Sequence, residues 1–434
     1  MRLISTAAIL TLIATTALAA PAVTVTEIKA PDLPLPDAVY PGGKTLKLNL
    51  GIGSAAWRDP KDPAGVIWTV TDRGPNFDCA GIEEFTGLDI NKLCNGDDKA
   101  KNFPLPSFAI TISKIEVGAD NTAKLLESFP LKGKSGKPVS GLPFTSNNFK
   151  LEAAYDVNGA LIAGDPSGLD TETLARLPDG SFIIGEEYGS SIVEVAADGT
   201  VTRRHVPAGI EAEFKTADYV VVGSLPAIIA KRTPNRGIEN VAVSADGATL
   251  YVLMQSPLAN PDTDAYRKSA ATRLWKIERA SGKVLGEYVY MLDEATSFAA
   301  DNKKEPQKQN AVRLSEMVAL GPDRLMVVER ISKTTKFYAV NLADATPLDA
   351  TFDDVATSPS LEQLSAAEIE AKGIKPLAKT LLLNSDDAEN MPKKVEAAAI
   401  MSPTEMIVLS DSDFGIEGDE TQIRRITFSE PVLQ

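Results

Sequence analysis

Four times along this chain a carboxylate opens the same short pattern: Glu172-Thr-Leu-Ala175, Glu239-Asn-Val-Ala242, Glu316-Met-Val-Ala319 and Glu396-Ala-Ala-Ala399. Each copy runs on through a turn into a second apolar segment. A unit repeated in this way predicts a cyclic array, in which equivalent residues gather at one place. Here the gathered residue is an acid, and carboxylates collected on an axis suit a cation.

The surroundings of each copy specify the unit. After Glu172 come Asp179-Gly180 and Ser-Phe-Ile-Ile; after Glu239 come Asp246-Gly247 and Thr-Leu-Tyr-Val-Leu. Asp-Gly between apolar runs is a hairpin turn, because glycine accepts a positive φ without steric cost. The third copy turns at Gly321-Pro322-Asp323 and the fourth at Ser402-Pro403-Thr404, while a weaker first copy begins at Gly53-Ser54 and turns between Asp59 and Gly65. Third strands follow, as at 191–195, 273–277 and 336–340. Meanders of three or four short strands at a fixed period predict an all-β fold, the β-propeller.

Spacing sets the number of blades. The four glutamates lie 67, 77 and 80 residues apart, against roughly 40 to 45 for a bare four-stranded blade, so each blade carries long loops. Ser54 to Glu172 spans 118 residues. That surplus either holds a degenerate blade within 120–165 or is spent on the loop around the cysteines, so five blades are readable and there is room for a sixth. Only 38 residues follow Glu396, enough for three strands, and a strand from Val23 to Ile28 is expected to complete the last blade.

A propeller of this size makes residues 20–434 one domain in spite of the chain's length. Residues 1–19 read as a signal peptide: Met1-Arg2, an apolar run from Leu3 to Thr16, and a small-residue cleavage site at Ala17-Leu18-Ala19. The expectation is a periplasmic or secreted protein. Beyond that segment nothing approaches the roughly 20 apolar residues of a membrane span. A formal charge of −15 argues against nucleic acid as partner. Cys79 and Cys94, in a Gly/Asp/Asn-rich loop, read as a structural disulfide that stabilises by about 3 kcal/mol.

In a propeller the inner strand lines the central channel, and the hairpin brings the end of the second strand back to the rim where the first began. Those ends are also charged: Asp72-Arg73, Glu186-Glu187, Glu329-Arg330, and Asp411 with Asp413; Gln255 is the exception. One rim is thus expected to carry Glu172, Glu239, Glu316 and Glu396 within a second set of acids. Oxygen donors of this kind suit calcium or magnesium. Bases recur as well, with Arg236, Arg313 and Lys393 each three residues before a glutamate, and Arg73 and Arg330 beside the second-strand acids. Acid and base repeated together have two readings, inter-blade ion pairs or a metal beside an anion-binding surface.

Other mechanisms lack their residues. The chain's one histidine, His205, falls on an outer strand of the second blade, and neither a Gly-x-Ser-x-Gly elbow nor a nucleotide-binding Gly-x-x-x-x-Gly-Lys loop is present.

The segments Asp72-Arg73-Gly74-Pro75-Asn76, Ser167-Gly168-Leu169-Asp170 with Glu172, Arg236-Gly237-Ile238-Glu239, the Glu316 and Glu396 copies and Ser410–Gly415 together resemble the phytase-like domain family, also called "esterase-like activity of phytase" proteins. The resemblance runs over roughly residues 45–430. It implies an exported bacterial propeller with calcium-dependent hydrolysis of a phosphoester or carboxylic ester. On that reading Glu172, Glu239, Glu316 and Glu396 hold a divalent cation, with calcium favoured, and Asp72 and Asp411 are secondary ligands or general bases. Arg73, Arg236 and Arg330 then orient a small anionic ester. The rival readings are a non-catalytic, metal-stabilised binding propeller and a sugar lactonase in which Asn240 serves beside Glu239.

Overall fold

The computed structural model describes residues 21–146 and 151–434; the expected signal peptide lies outside them. Five antiparallel meanders follow one another along the chain. Sheet I is built from Ala55–Trp57, Val66–Val70, Thr111–Val117 and Ala123–Pro130, and sheet II from Thr171–Arg176, Phe182–Glu186, Ser191–Val195 and Val201–Pro207. A fifth strand, Val220–Leu225, joins sheet II in parallel with Val201–Pro207. Sheet III comprises Ile238–Val243, Thr249–Met254, Ala271–Glu278 and Lys283–Met291; sheet IV comprises Arg313–Gly321, Arg324–Arg330, Thr335–Asn341 and Lys379–Asn384. Sheet V contains Val395–Ser402, Glu405–Ser410, Ile423–Phe428 and, as its outermost strand, Val23–Ile28 from the other end of the chain. The expected N-terminal closure is therefore present, with Val23 opposite Phe428 and Ile28 opposite Ile423.

Burial explains why these segments pair. Ile238–Val243 and Phe182–Glu186 are buried on both faces, whereas the outer strand Ala123–Pro130 is largely exposed. Each sheet shares an apolar core with the next. Sheets II and III meet through Ile183, Val241 and Trp275, sheets III and IV through Leu253, Leu314 and Val327, and sheets IV and V through Val328, Phe337 and Val408. Sheet V then packs on sheet I through Leu409, Ala56 and Ile67, and sheet I on sheet II through Val70, Leu174 and Ile184. The succession returns to its start, which is the propeller-like arrangement the repeat predicts.

Much of the surplus before Glu172 is spent on the segment around the cysteines. Among the described residues it supplies a small sheet of Phe77–Asp78, Lys101–Asn102 and Ala154–Tyr155, and the short helices Ile82–Thr86 and Ile90–Leu93. The Cys79–Cys94 disulfide joins them across a sequence separation of 15 residues. With the hairpin Ala38–Val39 and Thr45–Leu46 they enclose a satellite core around Tyr40, Phe77, Ile82 and Leu93. This cap covers part of one end of the ring.

Strand register separates one repeat glutamate from the others. In sheets II, III and V the pairing skips one inner-strand residue, Glu172, Glu239 and Glu396 in turn; Thr171 faces Glu186 and Thr173 faces Gly185, for example. In sheet IV the skipped residue is Ser315, and Glu316 faces Val328. Glu316 is therefore the counterpart of Thr173, Asn240 and Ala397, one residue further along its strand. A shift of one residue turns a side chain to new neighbours. The Glu316 carboxylate accepts the N–H of Met317 at 2.9 Å and lies 3.5 Å from that of Ala56, with the Ala398 N–H and the Thr173 hydroxyl also directed to it. Sheets I, II, IV and V thus converge on a single side chain that is 2% exposed.

Replacing Glu316 with Ala would leave several buried donors without an acceptor and is expected to lower stability by about 2 to 4 kcal/mol. Chemical denaturation measures this directly; an unchanged midpoint would show that the carboxylate is dispensable to the ring.

Candidate functional site

A bulge inserts one residue into an edge and redirects its side chain. The bulges at Glu172, Glu239 and Glu396 fall at the first turns of their inner strands, at the end of the ring reached by the returning second strands. At or just beyond those second-strand ends stand Asp72, Glu187, Gln255, Arg330 and Asp411. Acids therefore dominate the mouth at sheets I, II and V, while sheets III and IV contribute an amide and a guanidinium.

The tightest cluster belongs to sheet II. One oxygen from each of Asp170, Glu172 and Glu187 lies within 4.8 Å of the other two. Local structure explains the selection of Glu187 over Glu186, because neighbours along a chain leave on opposite sides. Glu186 turns inward to Arg204 at 2.8 Å, and both are buried. Glu187 turns to the mouth. Asp170 is fixed by its backbone, which donates to Glu186 Oε1 at 3.2 Å and accepts the Glu187 N–H at 2.9 Å.

Crowding raises the proton affinity of these acids. Burial, reinforced by Glu187 and Glu186, lifts Asp170 to about 7 even though Arg73 opposes it. Burial and Glu239 lift Glu187 to about 8. Glu172 is held well above the ordinary carboxylate range by burial, with Asp170 and Glu239 adding to it. Burial and Asp411 do the same to Asp72, and burial with Asp413 brings Asp411 to about 7. Five acids that resist ionising together would be relieved by a cation.

The trio fits such an ion. Calcium takes oxygen ligands at about 2.3–2.6 Å, so two ligands on one ion stand at most about 5 Å apart. The spacing of the trio meets that limit, and its donors are all hard oxygens. Asp72 belongs to the same charged neighbourhood, its carboxylate accepting the Gly74 N–H at 2.8 Å.

On the other side of the mouth are three arginines. Arg236 Nη1 lies 4.0 Å from Glu187 Oε1, which ties this side to the acids. Arg330 is 3% exposed, bonds Glu396 through Nη2 and donates from Nη1 to the Ile331 carbonyl at 3.0 Å. Burial and then the neighbouring Arg313 pull Arg330 down to about 10, and burial and Arg236 lower Arg313. Among the described residues, the buried Nε atoms of Arg236, Arg313 and Arg330 make no hydrogen bond. Positive charge is thus concentrated on this side of the mouth.

The expected residues divide accordingly. Glu172 joins the trio, while Asp72 and Asp411 stand beside it. Glu239 accepts from the Gln255 amide, which also donates to Glu187 at 2.8 Å, and its Oε2 has no hydrogen-bond partner among the described residues. Glu396 is engaged by Arg330, an inter-sheet ion pair of the kind the plainer reading expected, and Glu316 lies apart as described. Arg73 is enclosed: it pairs with Glu152 at 2.7 Å and Asp170 at 3.6 Å, between the rings of Phe103 and Tyr188. Asn240 donates to the Leu314 carbonyl at 3.0 Å and is wholly buried. His205 is satisfied on its outer strand by Ser224 at 2.7 Å and Glu194 at 3.2 Å. Asp170, Glu187 and Arg313 were all visible in the sequence without being selected. Their common signal is a position next to a bulge or a second-strand end.

A cleft of about 610 Å³ opens over the trio, with Asp72 and Arg73 on one side and Phe77, Gly81 and Phe85 of the cap on the other. A separate cleft of about 890 Å³, lined by the hairpin turns around Pro178, Asp246 and Pro322, holds none of these groups. Among the described residues no helix is long and apolar enough to cross a membrane.

A secreted, otherwise uncharacterized protein of Arthroderma benhamiae is 25% identical over 291 residues, covering 60% of this chain and 53% of the relative. The chain thus spans about half the length of that protein. Among solved structures, a calcium-binding protein, regucalcin, from Agrobacterium tumefaciens is 12% identical with a TM-score of 0.34, over 89% of this chain and 98% of that one. A luciferin-regenerating enzyme is 11% identical with a TM-score of 0.34, over 88% and 92% respectively. The family described as Phytase-like, "Esterase-like activity of phytase", matches residues 50–414, nearly all of the described sequence, and the chain belongs to that family.

Proposed function

We propose that the protein is an exported, divalent-cation-dependent hydrolase of phosphoesters, with calcium the favoured ion. In this reading residues 1–19 direct export to the periplasm or the exterior, and residues 20–434 form a single five-bladed propeller. The observation that carries the function is the acid trio beside three arginines at one mouth. Asp170, Glu172 and Glu187 would hold the cation, with Asp72 and Asp411 close enough to contribute. A bound cation would supply Lewis-acid polarisation of the ester.

The remaining steps fall to the chain's own groups. Arg236, Arg313 and Arg330 offset the charge of the non-bridging oxygens, and their field stabilises charge that grows on them. A phosphoester offers those charges and a neutral carboxylic ester does not, which favours the phosphoester. Asp411, titrating near neutrality, accepts a proton from the attacking water. Arg73 acts as a positioning residue, since its pairs with Glu152 and Asp170 hold one carboxylate of the trio in place.

Chelation is expected to abolish turnover of a generic aryl phosphate, and added calcium to restore it. Glu172→Gln and Asp170→Asn should each lower kcat/KM by about 100-fold or more. Full activity in the presence of chelator would exclude the cation from the mechanism. Arg313→Gln should raise KM for the phosphoester about tenfold, as expected for a lost charge-assisted contact; an unchanged KM would remove the arginines from substrate binding.

Proton competition gives a test that needs no substrate. Asp170 and Glu187 bind protons more tightly folded than unfolded, so between about pH 4 and 8 the native state holds the more protons. Their contribution is present at low pH and lost as pH rises through about 7 to 8. In chelator, Tm should therefore fall across this range. Calcium, which must displace those protons, should raise Tm more at pH 8 than at pH 5. An equal shift at both pH values would contradict the trio as the ligand set.

A further inference from the structure

The wall that the cap contributes to the cleft differs in character from the charged floor. Phe77 and Phe85 meet at 4.8 Å between ring centroids, tilted 58° to one another, with Phe77 buried and Phe85 half-buried at the cleft. A glycine lets the Phe85 ring approach the backbone there: a Cβ on Gly81 would lie 3.3 Å from Phe85 Cε2. Ala80 and Ile416 extend the apolar surface.

The charged groups along this part of the cleft are already neutralised. Lys101 pairs with Asp78 at 3.0 Å, and Lys394 with Asp413. Glu417 adds a further exposed carboxylate at the rim. A substrate with additional phosphates would meet no uncommitted lysine along this wall and would face the exposed carboxylate of Glu417. The family's name would suggest a polyphosphorylated alcohol, but the charge of this wall opposes one.

We propose that the Phe77–Phe85 wall is a leaving-group subsite for a compact aromatic or apolar alcohol, so that the substrate is a monophosphate ester of such an alcohol. The inference rests on the phosphoester reading above. The trio and the Phe77–Phe85 wall line one cleft, so an ester whose phosphate sits on the trio lays its alcohol against the cap. Water adds to phosphorus, the P–O bond to the alcohol breaks, and the alcohol departs with a proton while inorganic phosphate remains.

The test compares phenyl phosphate, glycerol phosphate and inositol hexakisphosphate with the full protein in calcium. Phenyl phosphate should have the highest kcat/KM, at least about tenfold above the hexakisphosphate. Phe85→Ala should raise KM for phenyl phosphate roughly three- to tenfold, with kcat little changed and KM for glycerol phosphate unmoved; Phe85→Leu, which keeps an apolar wall, should retain most of the preference. Preferred hydrolysis of inositol hexakisphosphate, or an equal effect of Phe85→Ala on all three esters, overturns the subsite while leaving the hydrolase reading intact. Turnover of none of the three removes both.

Discussion

The inner strand of every sheet in this ring is an edge, and the peptide groups along that edge need partners at the axis. An exposed edge elsewhere would recruit another strand; here the edges face one another around a narrow channel. Glu316 meets part of that requirement, taking donors from four of the five sheets onto one carboxylate. The mouth depends on this closure, because Glu172, Glu239 and Glu396 can share a rim only while their strands are held at common height. Val23–Ile28 secures the same closure from outside by completing sheet V.

The charge at the mouth follows from how each sheet departs from the repeat. Sheets I, II and V end their second strands in acids, whereas sheet III offers Gln255 and sheet IV offers Arg330. Sheet IV also places Ser315 where sheets II, III and V place a glutamate. The rim is consequently polarised, with acid on one side and guanidinium on the other, and Gln255 and Arg236 reaching Glu187 across the boundary. A symmetric ring of carboxylates would hold a cation but would repel an anionic ester. Broken symmetry sets carboxylates and guanidinium groups side by side at one mouth.

Much of this was legible in the sequence for identifiable reasons. Asp179-Gly180 and Asp246-Gly247 mark their hairpins because few residues other than glycine accept those backbone angles, and the structure has Gly180 at φ 90° and Gly247 at φ 73°. The closing strand and the disulfide followed from counting residues and cysteines. Glu316 shows where reading by letter fails: its match to the repeat is good, but strand pairing is set by the facing strand, which puts Ser315 at the bulge and Glu316 one residue beyond it. The trio was obscured for another reason. Glu186 and Glu187 are adjacent and alike in sequence, and only the strand's alternation, with Arg204 buried behind it, assigns one to the core and the other to the mouth.

The central claim is that a divalent cation sits on Asp170, Glu172 and Glu187. Crystals soaked in manganese and measured at an anomalous wavelength locate such an ion without reference to activity. The account predicts one strong peak within about 2.5 Å of an oxygen from each of the three carboxylates, lost in Glu172→Gln. A peak on the channel axis at Glu316, or none at the mouth, would contradict it.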